Sequence, residues 1–334
     1  MFLPRVFKPF PGLWNGVGTV HMPELYSFCE FGTRVLKVEA CEKEVDIQRS
    51  LPHATTVQLY MRPASAPTRY TTYFRMEPLN QTAIFFDLMG TCCDWLISLK
   101  PVLLSCPAHT SLEPRWPKLQ SLAISWREGF FSEIHARFEK GLPAEDIDIT
   151  HRRVLDRLLE ALHIGLDDWD EDVRRRLVQQ WHRQQAWPDV IPALQKLRQR
   201  GDVFLVVLAN GTTRLQLDIA QSSNIPFHML MSSELLGLTK PDLDIYRKAM
   251  DLAKLAPKNC TMLASHLYDL EAAKKVGMRT VYVHRSTEDV GIEIDIEGEQ
   301  GYVDHYFDGR YESEGAGVPT RDIGFLEVVD SLYD

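Results

Sequence analysis

Four short, continuous apolar runs, each closing on a polar residue, constrain this chain more than any other feature. They are Thr82-Ala-Ile-Phe-Phe86 before Asp87, Val203-Phe-Leu-Val-Val-Leu208 before Asn210-Gly211, Thr261-Met-Leu-Ala264 before a polar stretch, and Thr280-Val-Tyr-Val283. Runs this short, with no polar alternation, suit strands buried on both faces, and such strands are parallel and joined by crossover helices. Stretches with helical spacing fall where those crossovers are needed: Ile191 to Gln199, Thr213 to Ser222, Asp242 to Lys254, and Leu270 to Val276. Gly277 follows the last of these in the place of a helix stop, and Phe325 to Leu332 reads as a closing helix. The pattern predicts an α/β fold built on a Rossmann-like parallel sheet.

The alternation is broken once, between Trp95 and about Trp187. The insert reads as helices at Leu119 to Glu139, Ile149 to Leu162 and Asp170 to Gln184, the last with Asp168 or Asp170 as its N-cap. An α-helical insert directly after the first strand is placed to cover the strand ends, where open α/β sheets bind ligands. The expected organisation is a core from 81–96 and 188–334, an inserted α-helical cap from 97–187, and an N-terminal extension of unknown role over 1–80. The extension is punctuated by prolines such as Pro63 and Pro67. Arg34 to Val38 and Thr56 to Tyr60 are strand-like, but the segment lacks the pattern of a complete domain and is expected to contribute nothing to catalysis.

Composition narrows the partners. With 45% hydrophobic and 25% charged residues the 334-residue chain is an ordinary globular one, and its net charge of −9 argues against a nucleic-acid partner. The longest basic run, Arg174-Arg175-Arg176, has acidic neighbours and reads as a solvated helix face. No apolar run approaches the roughly 18 residues that span a bilayer. The N-terminus, interrupted by Pro4, Pro9 and Pro11, lacks the apolar middle of a secretory signal. Cys29, Cys41, Cys92, Cys93, Cys106 and Cys260 show no CxxC spacing and read as reduced thiols of a cytoplasmic protein, with a packing role for Cys92 and Cys93.

Asp87, Asn210, Lys240 and Asp269 each fall just after a strand or in a loop before a helix, so a parallel sheet gathers them at one edge. A carboxylate at a strand end beside a glycine turn can serve as a nucleophile, and a nearby lysine keeps it ionised. The ordered set resembles the four motifs of the haloacid dehalogenase superfamily. Phe85-Phe86-Asp87-Leu88-Met89-Gly90-Thr91 is similar to the first, Leu208-Ala209-Asn210-Gly211 to the second, Thr239-Lys240-Pro241-Asp242 to the third, and Ala264-Ser265-His266-Leu267-Tyr268-Asp269 to the fourth. Trp126-Arg127 in the insert and Tyr246 after Lys240 point to the type II (L-2-haloacid) dehalogenase branch, particularly the dehalogenase-like hydrolases of filamentous fungi. The resemblance covers about 82–332 and leaves the first 80 residues unexplained.

The resemblance implies a hydrolase working through an aspartyl ester at a carbon centre, on a small-molecule substrate that is expected to be a secondary-metabolite intermediate. Asp87 would be the nucleophile, Thr91 would hold its turn, and Lys240 would hold and charge-balance it. Arg127 would come from the cap to meet the leaving group or a substrate carboxylate. Met89, Asn210, Tyr246, Ser265 and His266 would line the pocket, and Asp269 would position Lys240 or help activate water. Met89 stands where phosphatases of the superfamily carry a second aspartate and dehalogenases usually a tyrosine; a missing acid of that kind costs roughly 100 to 10,000-fold in rate. Ala209 and Ala264 replace hydroxyl residues, and the fourth motif offers one carboxylate rather than an acidic pair. No metal and no cofactor are therefore expected, and a homodimer is the assembly kept in view. The rival functions are a magnesium-dependent phosphatase and a non-catalytic biosynthetic accessory protein on the same fold.

Overall fold

The computed structural model describes residues 81–143, 145–310 and 323–333 in full and, within the first 80, the backbone of five strands. The chain divides into two compact units, 1–80 and 81–334. In the first unit Val17–Val20 (β1), Val57–Pro63 and Tyr70–Met76 form an antiparallel sheet with the last strand in the middle, and Tyr26–Phe31 pairs with Arg34–Glu39 as a hairpin. In chain order the four that follow β1 are β2 to β5. Arg34 to Val38 lies in β3 and Val57 to Tyr60 of the second strand-like run lies in β4, while Thr56 lies outside the described residues. The other three were not anticipated, because short antiparallel strands of mixed composition leave a weak periodic signal. Cys41, Pro67 and the N-terminal prolines lie outside the described residues.

The second unit opens with Thr82–Phe86 (β6), followed by a turn and the two-residue strand Cys93–Asp94 (β7). The cap then runs through Trp95–Ser105 (α1), Arg115–Glu139 (α2), Ile147–Ala161 (α3) and Glu171–Gln180 (α4), and returns through Gln185–Ala186 (β8). The core resumes with Val190–Arg200 (α5), Val203–Ala209 (β9), Thr213–Ser223 (α6), Met229–Ser232 (β10), Ser233–Leu236 (α7) and Leu243–Ala253 (α8). It closes with Cys260–Ala264 (β11), Leu267–Lys275 (α9), Arg279–His284 (β12), His305–Asp308 (β13) and Phe325–Leu332 (α10).

All four apolar runs are strands of one parallel sheet of order β10-β9-β6-β11-β12-β13. Helices cover both faces, as β6, buried from Ala83 onward, and the fully buried β11 require. Strand β6 sits between β9 and β11, so the residue after it emerges at the middle of the carboxyl edge. Gly277, at φ +89°, ends α9 in the left-handed conformation that a β-carbon disfavours.

The cap has its own core. Trp95, Trp126, Trp169 and Trp181 are buried together with leucines of α1 to α4. Trp95 stacks on Trp181 at 5.6 Å and Trp126 meets Trp181 edge-on at 5.3 Å, each such pair adding about 0.5–1.5 kcal/mol beyond the area it buries. His151 of α3 is fully buried between Phe130, 3.9 Å away, and Trp181, 4.4 Å away. Burial, with Arg127 nearby, holds its imidazole well below the usual histidine range. Asp170 caps α4 by accepting from Val173 N.

Three sequence expectations need correction. Helix α4 ends at Gln180 rather than Gln184, because the chain must straighten to pair β8 with β7. Helix α1 was not foreseen, its apolar face being interrupted by Pro101. Arg174 is not on a solvated face: it is buried and donates to Asp156, Ile164 O and Trp169 O, while Arg175 and Arg176 are exposed.

Candidate active site

Asp87 follows β6 directly, and its N–H donates to Leu263 O of β11, so the sheet itself fixes the backbone of this carboxylate. The turn after it is tied by Cys92 N and Cys93 N to Leu88 O, and Gly90 takes φ +87° there. Thr91 closes the turn onto the side chain: its hydroxyl donates to Asp87 Oδ2 at 2.8 Å and accepts from Ser265 N at 2.9 Å. The Cys92 Sγ donates to Asp87 O, and burial pushes this thiol well up, so it is wall rather than nucleophile.

Lys240 arrives from the loop before α8. Asn210, after β9, clamps its backbone from both sides, accepting from Lys240 N at 2.8 Å and donating to Lys240 O at 3.1 Å. The Lys240 ammonium, 1% exposed, donates to Asp87 Oδ1 at 2.8 Å and to Asp269 Oδ2. Tyr246 of α8 donates to the other oxygen of Asp269 at 2.5 Å. Burial works to raise the Asp87 carboxyl, but Lys240 and His266 outweigh it and hold the group well below the usual carboxylate range. Burial likewise opposes the charge on Lys240, and Asp269 and Asp87 keep it protonated.

A second charged chain meets Asp87 from the other side. His266 Nδ1 lies 3.1 Å from Asp87 Oδ2, and its Nε2 lies 2.7 Å from Glu288 Oε2. Glu288, in the loop after β12, also accepts from Trp95 Nε1 at 2.6 Å and from Arg127 Nη2 at 3.2 Å. Arg127 comes down from α2, donates to Met89 O at 3.1 Å, and lies over the Phe131 and Trp95 rings. Three buried carboxylates, Asp87, Asp269 and Glu288, thus face three buried basic side chains, Lys240, Arg127 and His266.

Above Asp87 lies a pocket of about 480 Å³, the space at its mouth included. Its polar wall is Asp87, Asn210, Arg127, His266 and Tyr268; its apolar wall is Leu88, Met89, Phe130, Phe131, Ile134, Ala209 and Leu215. Cap and core therefore both contribute, as α2 supplies Arg127 to Ile134. Arg127 Nε and Nη1 are buried without a protein partner.

Comparison with known proteins agrees with this arrangement. The family model of the haloacid dehalogenase-like hydrolases matches residues 81–277, more than half of the chain. The chain belongs to the haloacid dehalogenase-like hydrolases. Its relatives include haloacetate dehalogenase H-2 of Moraxella sp. (strain B), 25% identical over 206 residues, covering 61% of this chain and 85% of that protein. (S)-2-haloacid dehalogenase 1 of Pseudomonas sp. (strain CBS-3) is 25% identical over 132 residues, covering 38% of this chain and 58% of that protein. Among solved structures, L-2-haloacid dehalogenase PA0810 is 31% identical, with a TM-score of 0.57, covering 68% of this chain and 94% of its own. The defluorinating L-2-haloacid dehalogenase Rha0230 is 26% identical, with a TM-score of 0.58 and coverages of 68% and 90%. These neighbours place the hydrolase beside the type II dehalogenase branch.

Within this hydrolase the ten residues singled out in the sequence do not all reach the pocket. Asp87, Met89, Arg127, Asn210 and His266 line it. Thr91, Lys240 and Asp269 are buried beneath the carboxylate. Ser265 and Tyr246, expected on the wall, stand behind it, since the Ser265 hydroxyl is spent on Val283 O and the Tyr246 hydroxyl on Asp269. Glu288 was missed. The signal that could have found it is the one that found Asp87: an acidic residue shortly after a buried apolar run, here the run ending at Val283. Magnesium, which phosphoryl-transfer members of such folds would need, asks for several oxygen donors. Here the Lys240 ammonium already bridges Asp87 and Asp269, and Met89 brings a thioether, so the residues present do not fit that ion.

Proposed function

We propose that this hydrolase displaces a leaving group from carbon through an ester on Asp87, with 2-haloacids and related activated carboxylic acids as its substrate class. One observation carries the reading. An ionised, lysine-paired Asp87 lines the same pocket as Arg127, which keeps two buried nitrogens without a protein partner for an anionic leaving group or carboxylate. The carboxylate attacks the substrate carbon and the bond to the leaving group breaks with its electron pair; water then cleaves the ester. The L-2-haloacid dehalogenases among the relatives support the same chemistry. Phe130, Phe131, Ile134 and Leu215 suit an apolar substituent at the reacting carbon, as in a secondary-metabolite intermediate. The buried free thiols Cys92, Cys93, Cys106 and Cys260 support a reducing, cytoplasmic setting.

The test is turnover of 2-chloropropionate and of p-nitrophenyl phosphate, each with and without magnesium. Chloride release that ignores magnesium is expected. Phosphate release that requires magnesium would replace this reading by a phosphatase, and inertness to both would favour a binding scaffold.

A further inference from the structure

With Asp87 as the ester-forming group, as proposed above, the hydrolytic half of the cycle still needs a base. We propose that His266 is the base that activates water against the Asp87 ester, and that Glu288 is the positioning residue that aims it. Asp269 cannot serve, because it is fully buried with one oxygen on Lys240 and the other on Tyr246. Lys240 lies between two carboxylates as an ammonium and has no lone pair to offer. His266 lines the pocket and touches the reacting carboxylate.

Both ring nitrogens of His266 face carboxylate oxygens, so both must donate and the resting ring is an imidazolium. Burial disfavours that charge, yet Asp87 and Glu288 push the ring up to about 10. The other charged or titratable groups close by are Asp289 from the Glu288 loop, Arg127 and His135 from α2, Tyr268 from α9, and Lys240. Among all of these, only Asp87 changes charge when the ester forms.

That change times the proton. As the carbon–halogen bond breaks, its electron pair leaves with the halide, and the charge of Asp87 is consumed in the new carbon–oxygen bond. His266 loses one of its two anions, gives its Nδ1 proton to solvent, and keeps Nε2–H on Glu288. Water adds to the Asp87 carboxyl carbon and passes one proton to Nδ1. The bond from that carbon to the substrate oxygen breaks, and this oxygen takes the remaining proton of the added hydroxyl and departs as the alcohol. Asp87 carboxylate and His266 imidazolium are restored; one water is consumed, and one halide and one proton are released.

The experiment follows chloride release from 2-chloropropionate and the intact mass of the chain. His266→Asn is expected to release a burst of chloride equal to the enzyme concentration, hold the ester as added mass, and lose steady turnover by about 100-fold or more. Glu288→Gln leaves the neutral ring without its second anion. The ring's pKa in the ester state then falls, and the rising acid limb of the pH–rate profile moves to lower pH; a purely structural residue would change the amplitude and leave the limb in place. Ester cleared by His266→Asn at the parent rate, or an unmoved limb in Glu288→Gln, overturns the proposal while chloride release by the parent keeps Asp87 as nucleophile. No chloride release by the parent overturns both. Should His266→Asn fail to fold, the limb of Glu288→Gln decides alone.

Discussion

Asp87 owes its reactivity to neighbours rather than to exposure. Asp87→Asn, which keeps the shape of the side chain, is expected to lower turnover by about 100-fold or more, since the amide cannot form the ester. A steady-state assay retaining more than about a tenth of the parent rate would remove Asp87 as nucleophile. Lys240→Met tests the pairing. Asp87 attacks only when ionised, and its carboxyl is held well below the usual carboxylate range, so ester formation in the parent, read as single-turnover chloride release, extends down to acid pH. Removing the lysine leaves burial unopposed on that side, raises the carboxyl, and moves the acid limb of single-turnover chloride release upward. An unchanged limb would show that Lys240 does not set the charge of Asp87. At this scale the sequence was readable wherever a functional group sat against a buried strand, as Asp87, Asn210 and Asp269 do. Glu288 was harder to read because it stands in a loop past the end of its strand rather than directly after it, and its partners Trp95 and Arg127 lie far from it in sequence.

Among the elements, the buried strands were legible and the edges were not. Strands β10 and β13 border the sheet, are half-exposed and four residues long, and so lack the continuous apolar run that marked β6, β9, β11 and β12. The cap helices were legible through their spacing, but α1 was hidden by its proline and Arg174 by its charge, since a guanidinium that satisfies three acceptors inside a bundle looks in sequence like any surface arginine. His151 makes the bundle acid-sensitive. Its imidazole is neutral in the folded cap, whereas the unfolded chain binds a proton below about 6.5. The unfolded state therefore carries more protons there, and stability falls as pH drops through that value. His151→Leu removes this linkage: urea titrations of parent and variant are expected to diverge as pH goes from about 7 to 5, by about 1–2 kcal/mol in favour of the variant. Parallel pH dependences would show that His151 finds a proton in the folded cap.

For the whole molecule, the carboxylates that could have gathered a metal are instead bound to a lysine, and activity is expected to survive thorough EDTA treatment. Loss of turnover that magnesium restores would reject displacement at carbon and return the phosphatase reading. The other large-scale property lies in the neck of the cap. Strands β7 and β8 pair Cys93 with Ala186, and Trp187 N donates to Cys92 O at 3.0 Å, so the chain leaves the core and re-enters it at neighbouring points. The sheet is thus wired straight past the insert, and the cap behaves as a cartridge seated in a fixed socket. Exchanging residues 95–184 for the corresponding segment of a related hydrolase should transplant Arg127 and the aromatic ceiling together, and substrate preference with them, while Asp87, Lys240 and Asp269 stay with the host.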